Sequence, residues 1–400
     1  MKIVTWNVNG IRSFDGKWDK VLESLEADIV CIQETKVTRK LLITTFRYIS
    51  AQTNSRQRSY SLGGMLDEPT ALIPGYSSYF AFSRKRTGYS GVATFCKSNV
   101  TPICAEEGLS GLFAPDKDSV GHCQNLNVEF SQEELKNLDS EGRCVLTLHQ
   151  IEVDNELQKL AIFNLYCPRA DPEKPERIVY QQKFHKLVEL RARNLIDQGI
   201  FVIVLGDLNV SHKEIDHCDP YEEFGEKPSR KWMEHLLNGA EFEDQDHEWK
   251  IQNVPDDQKH KCILFDAFRH FHAEEKNAFT CWNTEKNCRS TNYGTRIDYI
   301  LASQGLKGCL FACDIHPDVL GSDHCPVSAQ FDCLPKTLNG DKAPSWCTRY
   351  FPEFSGSQQK LSAFFRPEKR KIQDQNGHSQ PTKKKATVQQ SSMFKFLTKT

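Results

Sequence analysis

The stretch Phe201-Val202-Ile203-Val204-Leu205-Gly206-Asp207-Leu208-Asn209 constrains this chain more than any other. Consecutive apolar residues, mostly β-branched, read as a strand buried on both faces, inside a sheet covered by helices. The run stops at Gly206, and an acid and an amide follow two residues apart. That spacing puts Asp207 and Asn209 on one side of an extended chain, able to converge on one ligand. Layered α/β proteins keep their chemistry at such strand ends. A Gly-Asp turn closed by an Asx hydrogen bond is the structural alternative, so the weight falls on what the other strand ends carry.

They carry more of the same. A strand over 2–6 leads into Asn7 and Asn9, and a buried strand over 28–33 ends at Glu34, followed by Thr35 and Lys36. Strands over 143–151 and 159–165 form a hairpin that ends at Tyr166-Cys167-Pro168. A helix over 175–198, with Pro175 in its first turn and Gly199 at its end, returns the chain to the organising strand. Asp298 starts a later strand, and Gly321-Ser322-Asp323-His324 precedes the last, which runs to about 332. Further strands are expected over 76–82 and 91–97, helices over 17–26 and 229–238, and a strand or short helix over 263–268. Residues 115–142 form an acidic, polar excursion with one helix at Gln132–Asp139, and 39–66 read as an inserted, poorly ordered loop. Trp6 and Trp282 are expected in the core. The sum is an α/β fold: a four-layer sandwich of two mixed sheets flanked by helices.

No apolar run approaches the roughly 20 residues that span a bilayer, and the start Met1-Lys2-Ile3-Val4-Thr5-Trp6 is strand-like, without room for a signal peptide. Fifteen cysteines are scattered with no C-x-x-C pair. That speaks for a reducing compartment and against a zinc ribbon. The net charge of −2 hides an asymmetry. Residues 334–400 carry 13 Lys+Arg and 4 Asp+Glu, net +9, which leaves net −11 for the rest. An acidic body meets a polyanion through local basic patches or through a metal. One such patch is Arg84-Lys85-Arg86 beside Tyr89, suited to phosphate contacts. Beyond 333 the composition turns to Gln, Ser, Lys and Pro, which cannot bury enough to fold alone. The expected division is therefore a catalytic domain over 1–333 and a disordered basic tail over 334–400.

The strand-end set is Asn7, Glu34, Tyr166, Asp207, Asn209, Asp298, Asp323 and His324. Carboxylates without cysteines make a hard-oxygen site suited to Mg²⁺ rather than zinc. An Asp-His pair with another Asp supplies an imidazole and a carboxylate to orient it. Tyr and Asn supply neutral donors where negative charge develops. Metal-assisted hydrolysis of a phosphodiester needs this inventory.

The segments Trp6-Asn7-Val8-Asn9-Gly10, Gln33-Glu34-Thr35-Lys36, Gly88-Tyr89-Ser90-Gly91-Val92, Tyr166-Cys167-Pro168, Gly206-Asp207-Leu208-Asn209, Arg296-Ile297-Asp298-Tyr299 and Gly321-Ser322-Asp323-His324-Cys325-Pro326 occur in this order. Together they resemble the signature of the endonuclease/exonuclease/phosphatase superfamily, and within it the exonuclease III-type apurinic/apyrimidinic endonucleases. The Tyr-Cys-Pro and Arg-Ile-Asp-Tyr forms resemble the second eukaryotic type. The resemblance implies Mg²⁺, with Mn²⁺ as a substitute, bound by Glu34 with Asn7, Asn209, Asp207, Asp323 and His324 around it. His324 would contact the scissile phosphate, oriented by Asp298. Asp207, helped by Asn209, would position or deprotonate the attacking water, and Tyr166 would stabilise the phosphoryl oxygens. Arg12, Lys36, Arg84, Lys85, Arg86 and Tyr89 would grip double-stranded DNA carrying abasic sites or 3′ ends. Many relatives carry Trp where Thr295 stands, so the smaller wall favours 3′-end processing over capture of an abasic sugar.

In the tail, Gln358, Leu361, Phe364 and Phe365 fit a sliding-clamp (PCNA) binding box on one helical turn. Gln390 to Leu397 is a weaker copy. Lys369-Arg370-Lys371 and Lys383-Lys384-Lys385 read as a bipartite nuclear import signal; the nucleus is the expected compartment, with cytoplasm and mitochondrion left open. No cysteine follows Cys347, so the zinc-binding DNA module at the end of many relatives is not expected. A monomer without membrane contact is expected. Two other functions remain open: a phosphatase of the same fold acting on phosphoinositide or sphingomyelin, and a weakly active scaffold that presents the clamp box.

Overall fold

A computed structural model of the chain describes residues 1–14, 17–39, 64–114, 119–121, 126–239, 261–337 and 342–355. Most of the 39–66 segment, the clamp box and the import signal lie outside the described residues. Two sheets face each other. The first runs β13 (Leu310–Ile315), β14 (Val327–Phe331), β1 (Lys2–Asn7), β2 (Ile29–Gln33), β4 (Val92–Lys97), β3 (Tyr76–Ala81). The second runs β15 (Leu334–Lys336), β6 (Cys144–Val153), β7 (Glu156–Tyr166), β8 (Phe201–Asp207), β12 (Asp298–Ser303), β9 (Leu264–Asp266), and β5 (Cys104–Glu107) also pairs with β6. A two-stranded ribbon, β10 (Cys281–Trp282) with β11 (Gly294–Thr295), stands apart.

Each inner strand alternates between two cores. In β8, Ile203 and Leu205 join the cluster between the sheets, with Ile3 and Cys31 from the other sheet. Val202 and Val204 face the helices Pro175–Asp197 and Pro228–Asn238, among Phe184, Leu187, Trp232 and Leu236. The first sheet likewise packs its outer face on the helix Trp18–Leu25. Helix, sheet, sheet, helix is the four-layer sandwich expected from strands that read as buried on both faces. Trp6 and Trp282, 1% and 3% exposed, are core residues as expected.

Buried polar side chains fix how the sheets sit on each other. Gln33 in β2 donates to Asn164 in β7 at 2.8 Å and to Thr5 in β1 at 2.9 Å, and Asn164 donates to the Ala93 carbonyl at 2.8 Å. An unpaired amide there would cost about 1–3 kcal/mol, so the pairing selects one placement of sheet on sheet.

Two expectations needed correction. β5 and β13 have no counterpart in the sequence reading, because neither carries a long apolar run: β13 alternates buried Leu310 with exposed Phe311, and β5 includes two glutamates. Described residues past 333, as far as 355, also belong to the folded unit. β15 pairs with β6, and Trp346, Phe351 and Phe354 pack against the first sheet's outer cluster. Arg39 pairs with Glu353 at 2.7 Å, and Thr348 donates to the Ser78 carbonyl at 2.8 Å. The segment is too sparse in apolar residues to fold alone, but it adheres to a surface already built. Composition marked that change of character and not the end of the fold.

Candidate active site

Strand register assembles the site. In the second sheet Tyr166, Asp207 and Asp298 are direct neighbours across β7, β8 and β12. In the first, Asn7 pairs with Gln33, which puts Glu34 just past the end of β2. Gly206 makes the close approach possible: its φ is +128°, and a Cβ there would lie 2.0 Å from the Leu165 carbonyl oxygen. Asn9, Glu34, Lys36 and Asn209 all take the left-handed conformation, with φ between 48° and 53°, so each strand turns sharply as it delivers its polar residue.

The two sheets' contributions meet at the Asn7 amide. Its Nδ2 donates to Glu34 Oε1 at 3.1 Å and to Asp207 Oδ2 at 2.9 Å, while its Oδ1 accepts the Asn9 N–H at 3.0 Å. Lys36 Nζ pairs with Glu34 Oε2 at 2.8 Å and reaches Asn9 Oδ1. Asp207 Oδ1 accepts the Asn209 N–H at 2.9 Å, and the Asn209 amide donates to the Cys167 carbonyl at 2.9 Å. Asp298 Oδ2 lies 2.8 Å from His324 Nδ1 and accepts the Thr280 hydroxyl at 2.6 Å. His324 Nε2 stands 3.9 Å from Asp207 Oδ2. Ser322 ties the last loop down, its hydroxyl 2.8 Å from the Asn7 carbonyl and 3.1 Å from Asp323 Oδ1.

Charge is divided unevenly among these groups. Burial pushes the Glu34 carboxyl up, but hydrogen bonds from Lys36 and Asn7 outweigh it and hold the group below its ordinary range. Burial pushes Asp207 up to about 7, with the Asp298 charge adding to the effect and His324 opposing it. Burial works against a charged His324, but the Asp298 carboxylate prevails and keeps the imidazolium well above its usual range. Tyr166 is raised by burial and by the charges of Glu34 and Asp207, so it stays a neutral donor.

Asp207, Asp298 and His324 form a buried group whose ligand atoms lie within 4.8 Å of one another and which could hold a metal ion. Buried Asp298 Oδ1 has no hydrogen-bond partner among the described residues. Among the described residues the three carboxylates pair with Lys36 and His324, and with two amides they make a hard-oxygen donor set that fits a divalent ion.

Of the expected site residues, Asn7, Glu34, Tyr166, Asp207, Asn209, Asp298 and His324 come together, and Asp323 joins through Ser322. The expected DNA contacts divide. Arg12 is exposed in the turn Ile11–Phe14. Lys36 belongs to the Glu34 cluster. Arg84 is spent on a bidentate pair with Glu107, both bonds 2.7 Å. Lys85, Arg86 and Tyr89 line a cleft beside Tyr166. The sequence reading passed over Thr280, Ser322 and Arg143. Arg143 donates to the Tyr166 carbonyl at 3.0 Å and lies over its ring at 4.7 Å. Ser322 stood inside a motif already singled out, whereas Thr280 and Arg143 gave no signal short of the fold.

Known proteins resemble this chain in sequence and in fold. DNA-(apurinic or apyrimidinic site) endonuclease 2 of Xenopus laevis is 48% identical over 368 residues, covering 91% of this chain and 65% of that relative. The chain thus spans about two thirds of the relative's length. The exodeoxyribonuclease of Bacillus subtilis is 30% identical over 330 residues, covering 82% of this chain and 98% of that protein. The crystal structure of the Xenopus laevis APE2 catalytic domain superposes with a TM-score of 0.75 at 46% identity, covering 90% of this chain and all of that one. A family model described as endonuclease/exonuclease/phosphatase matches residues 4–324, a span that holds every strand-end residue of the site. By sequence and by fold, the chain belongs to the endonuclease/exonuclease/phosphatase family.

Proposed function

We propose that this protein is a divalent-metal-dependent DNA repair nuclease that hydrolyses phosphodiesters 5′ to abasic sites and processes 3′ ends. One observation carries the reading: the ends of strands from two sheets bring an ionised Glu34 and an Asp207 near pKa 7 onto the Asn7 amide, with a charged His324 3.9 Å from Asp207.

Glu34, with the oxygens of Asp207 and the amides of Asn7 and Asn209, would hold the ion; Mg²⁺ suits these donors and Mn²⁺ can substitute. The bound ion would supply charge stabilisation for phosphoryl oxygens. In this reading His324 acts as a donor, its Nδ1 held 2.8 Å from Asp298. Its Nε2 proton can meet a phosphate oxygen while Nδ1 stays on Asp298. Asp207, near neutrality and held by Asn7 and Asn209, is matched to taking a proton from water at physiological pH. Tyr166 presents a neutral hydroxyl to the charge gathering on the phosphate. The fission leaves a 3′-hydroxyl. Thr295 lies opposite Cys281 in the β10–β11 ribbon, and its small side chain favours a 3′ terminus over a captured abasic sugar.

Magnesium-dependent cleavage of an abasic duplex, with an Asp207→Ala control, tests the reading. Cleavage that the control loses is expected. Cleavage of no DNA with Mg²⁺ or Mn²⁺, or phosphate release from phosphoinositide instead, overturns it. We further propose nuclear action and tethering to a sliding clamp through Gln358, Leu361, Phe364 and Phe365; co-precipitation with the clamp should be lost on Phe364→Ala plus Phe365→Ala.

A further inference from the structure

A cleft of ≈ 980 Å³ opens beside Tyr166. Its walls are the helices Gln132–Asp139 and Pro175–Asp197, the second with the loop that leads into it, and Lys85, Arg86 and Tyr89 line it as well. The walls touch: the Tyr180 hydroxyl donates to the Leu138 carbonyl at 3.0 Å, and Lys183 pairs with Glu134 at 3.0 Å. The recess is therefore closed on that side. At the other end Tyr166 is shared between the cleft and the reacting centre, where it feels the charges of Glu34 and Asp207.

The cations of the cleft fall into two kinds. Arg143 and Arg177 both pair with Glu141 at 2.7 Å, and they hold the floor together. Among the described residues the Lys85 ammonium meets only the neutral Asn137 amide oxygen, at 2.8 Å. The Arg86 guanidinium lies over the Tyr89 ring, 3.9 Å from its centroid, and Arg169 is exposed on the loop after Tyr166. In a body whose net charge is −11, positive groups gathered at the mouth of the active site point to a polyanion. The shape selects the kind. A recess of ≈ 980 Å³, walled on one side by touching helices, has room for a few nucleotides of one strand and not for a double helix. Stacked Arg and Tyr planes give unpaired bases a platform, and flanking cations follow the phosphates.

We propose that this cleft binds an unpaired segment of the nucleic-acid strand as it leaves the reacting centre. Lys85 and Arg169 meet the phosphates, and the Arg86–Tyr89 stack supports a base. The polymer's identity rests on the nuclease reading above; the binding of a single strand does not need turnover.

The test is fluorescence anisotropy with the full chain in chelator, comparing a blunt duplex with duplexes of the same sequence carrying a single-stranded 3′ or 5′ extension. Lys85→Glu combined with Arg169→Glu should weaken binding of at least one extended duplex about tenfold or more relative to the blunt one. The slope of log affinity against log salt for that duplex should fall by about 0.7 for each phosphate no longer neutralised. Arg86→Ala should reduce the same preference. Lys20→Glu, an equal charge change on the helix Trp18–Leu25, should leave the ratio alone. An unchanged ratio in the cleft variants, or equal losses on blunt and extended duplexes, overturns the proposal. If the unsubstituted protein cleaves no DNA with magnesium, the nuclease reading fails separately, and the binding ratio is still readable.

Discussion

Replacing Asp298 by Asn tests the electrostatic core of the site with one atom changed. Asp298 Oδ2 receives the Thr280 hydroxyl and faces His324 Nδ1, while Oδ1 is buried without a partner among the described residues. The amide can take two orientations, and each is costly. With its oxygen at the Oδ2 position, the NH₂ group is buried without an acceptor, at about 1–3 kcal/mol. With its nitrogen there, it donates to His324 Nδ1, which must then carry a lone pair, and the charged ring is lost. Either way the carboxylate that raises His324 and helps to raise Asp207 is gone.

Loss of a positioned proton donor of this kind costs on the order of 10²–10⁴-fold in kcat. The pH profile distinguishes this cause from simple misfolding. In the unsubstituted protein, activity should climb as Asp207 deprotonates around 7 and fall where His324 loses its proton, well above its ordinary value. In Asp298→Asn the alkaline limb should move to lower pH while the acid limb should not, because the His324 charge that opposes the rise of Asp207 is lost along with the Asp298 charge that adds to it. Stability follows the same sign. A histidine raised in the folded state stabilises fully below its unfolded pKa, about 6.5, and that contribution fades as pH rises through the folded value. The difference in Tm between the two proteins should therefore be largest below about pH 6.5 and shrink above it. A profile that keeps its alkaline limb while kcat drops would refute the reasoning, as would full activity at neutral pH.

Other substitutions probe separate links. Glu34→Gln should raise the magnesium concentration for half-maximal cleavage at least about tenfold, read by titration, because a neutral amide replaces the ionised donor. Gly206→Ala forces a Cβ to within 2.0 Å of the Leu165 carbonyl at a φ of +128°. Strain of about 1–3 kcal/mol or more should appear as a lowered denaturant midpoint together with lost activity. Phe351→Ala removes a buried ring that packs on Phe82 and Trp346, with Arg39 stacked 3.8 Å from its centroid. About 3–5 kcal/mol of stability should go with it if residues past 333 belong to the folded unit, and none if they do not.

The layers of the fold were legible because two-sided burial leaves a direct mark, as in Val202 to Leu205 and Ile29 to Ile32. What escaped was whatever depends on neighbours. β5 pairs Glu106 and Glu107 into a sheet because Arg191 and Arg84 wait for them across more than 20 residues of chain. Phe351 and Phe354 look like strays in a polar tail until Phe82 and Arg39 provide their place. In the site, residue types at strand ends disclosed the membership, since a buried run that breaks at an acid has few uses. Their duties were not disclosed, because duty follows from surroundings.

Two carboxylates show how far that goes. Glu34 and Asp207 both accept from the Asn7 amide, yet their protonation runs in opposite directions. Lys36 accounts for one, and for the other deeper burial together with Asp298. Environments that push paired acids apart are what separate a permanently charged ligand from a proton acceptor. Lys36 is then better placed as the counter-charge that keeps Glu34 ionised than as a grip on DNA. Its neutralisation should alter metal binding before it alters affinity for the strand. Had Lys36 been free and Glu34 raised, the same letters in the same order would have described a site with its two acids exchanged.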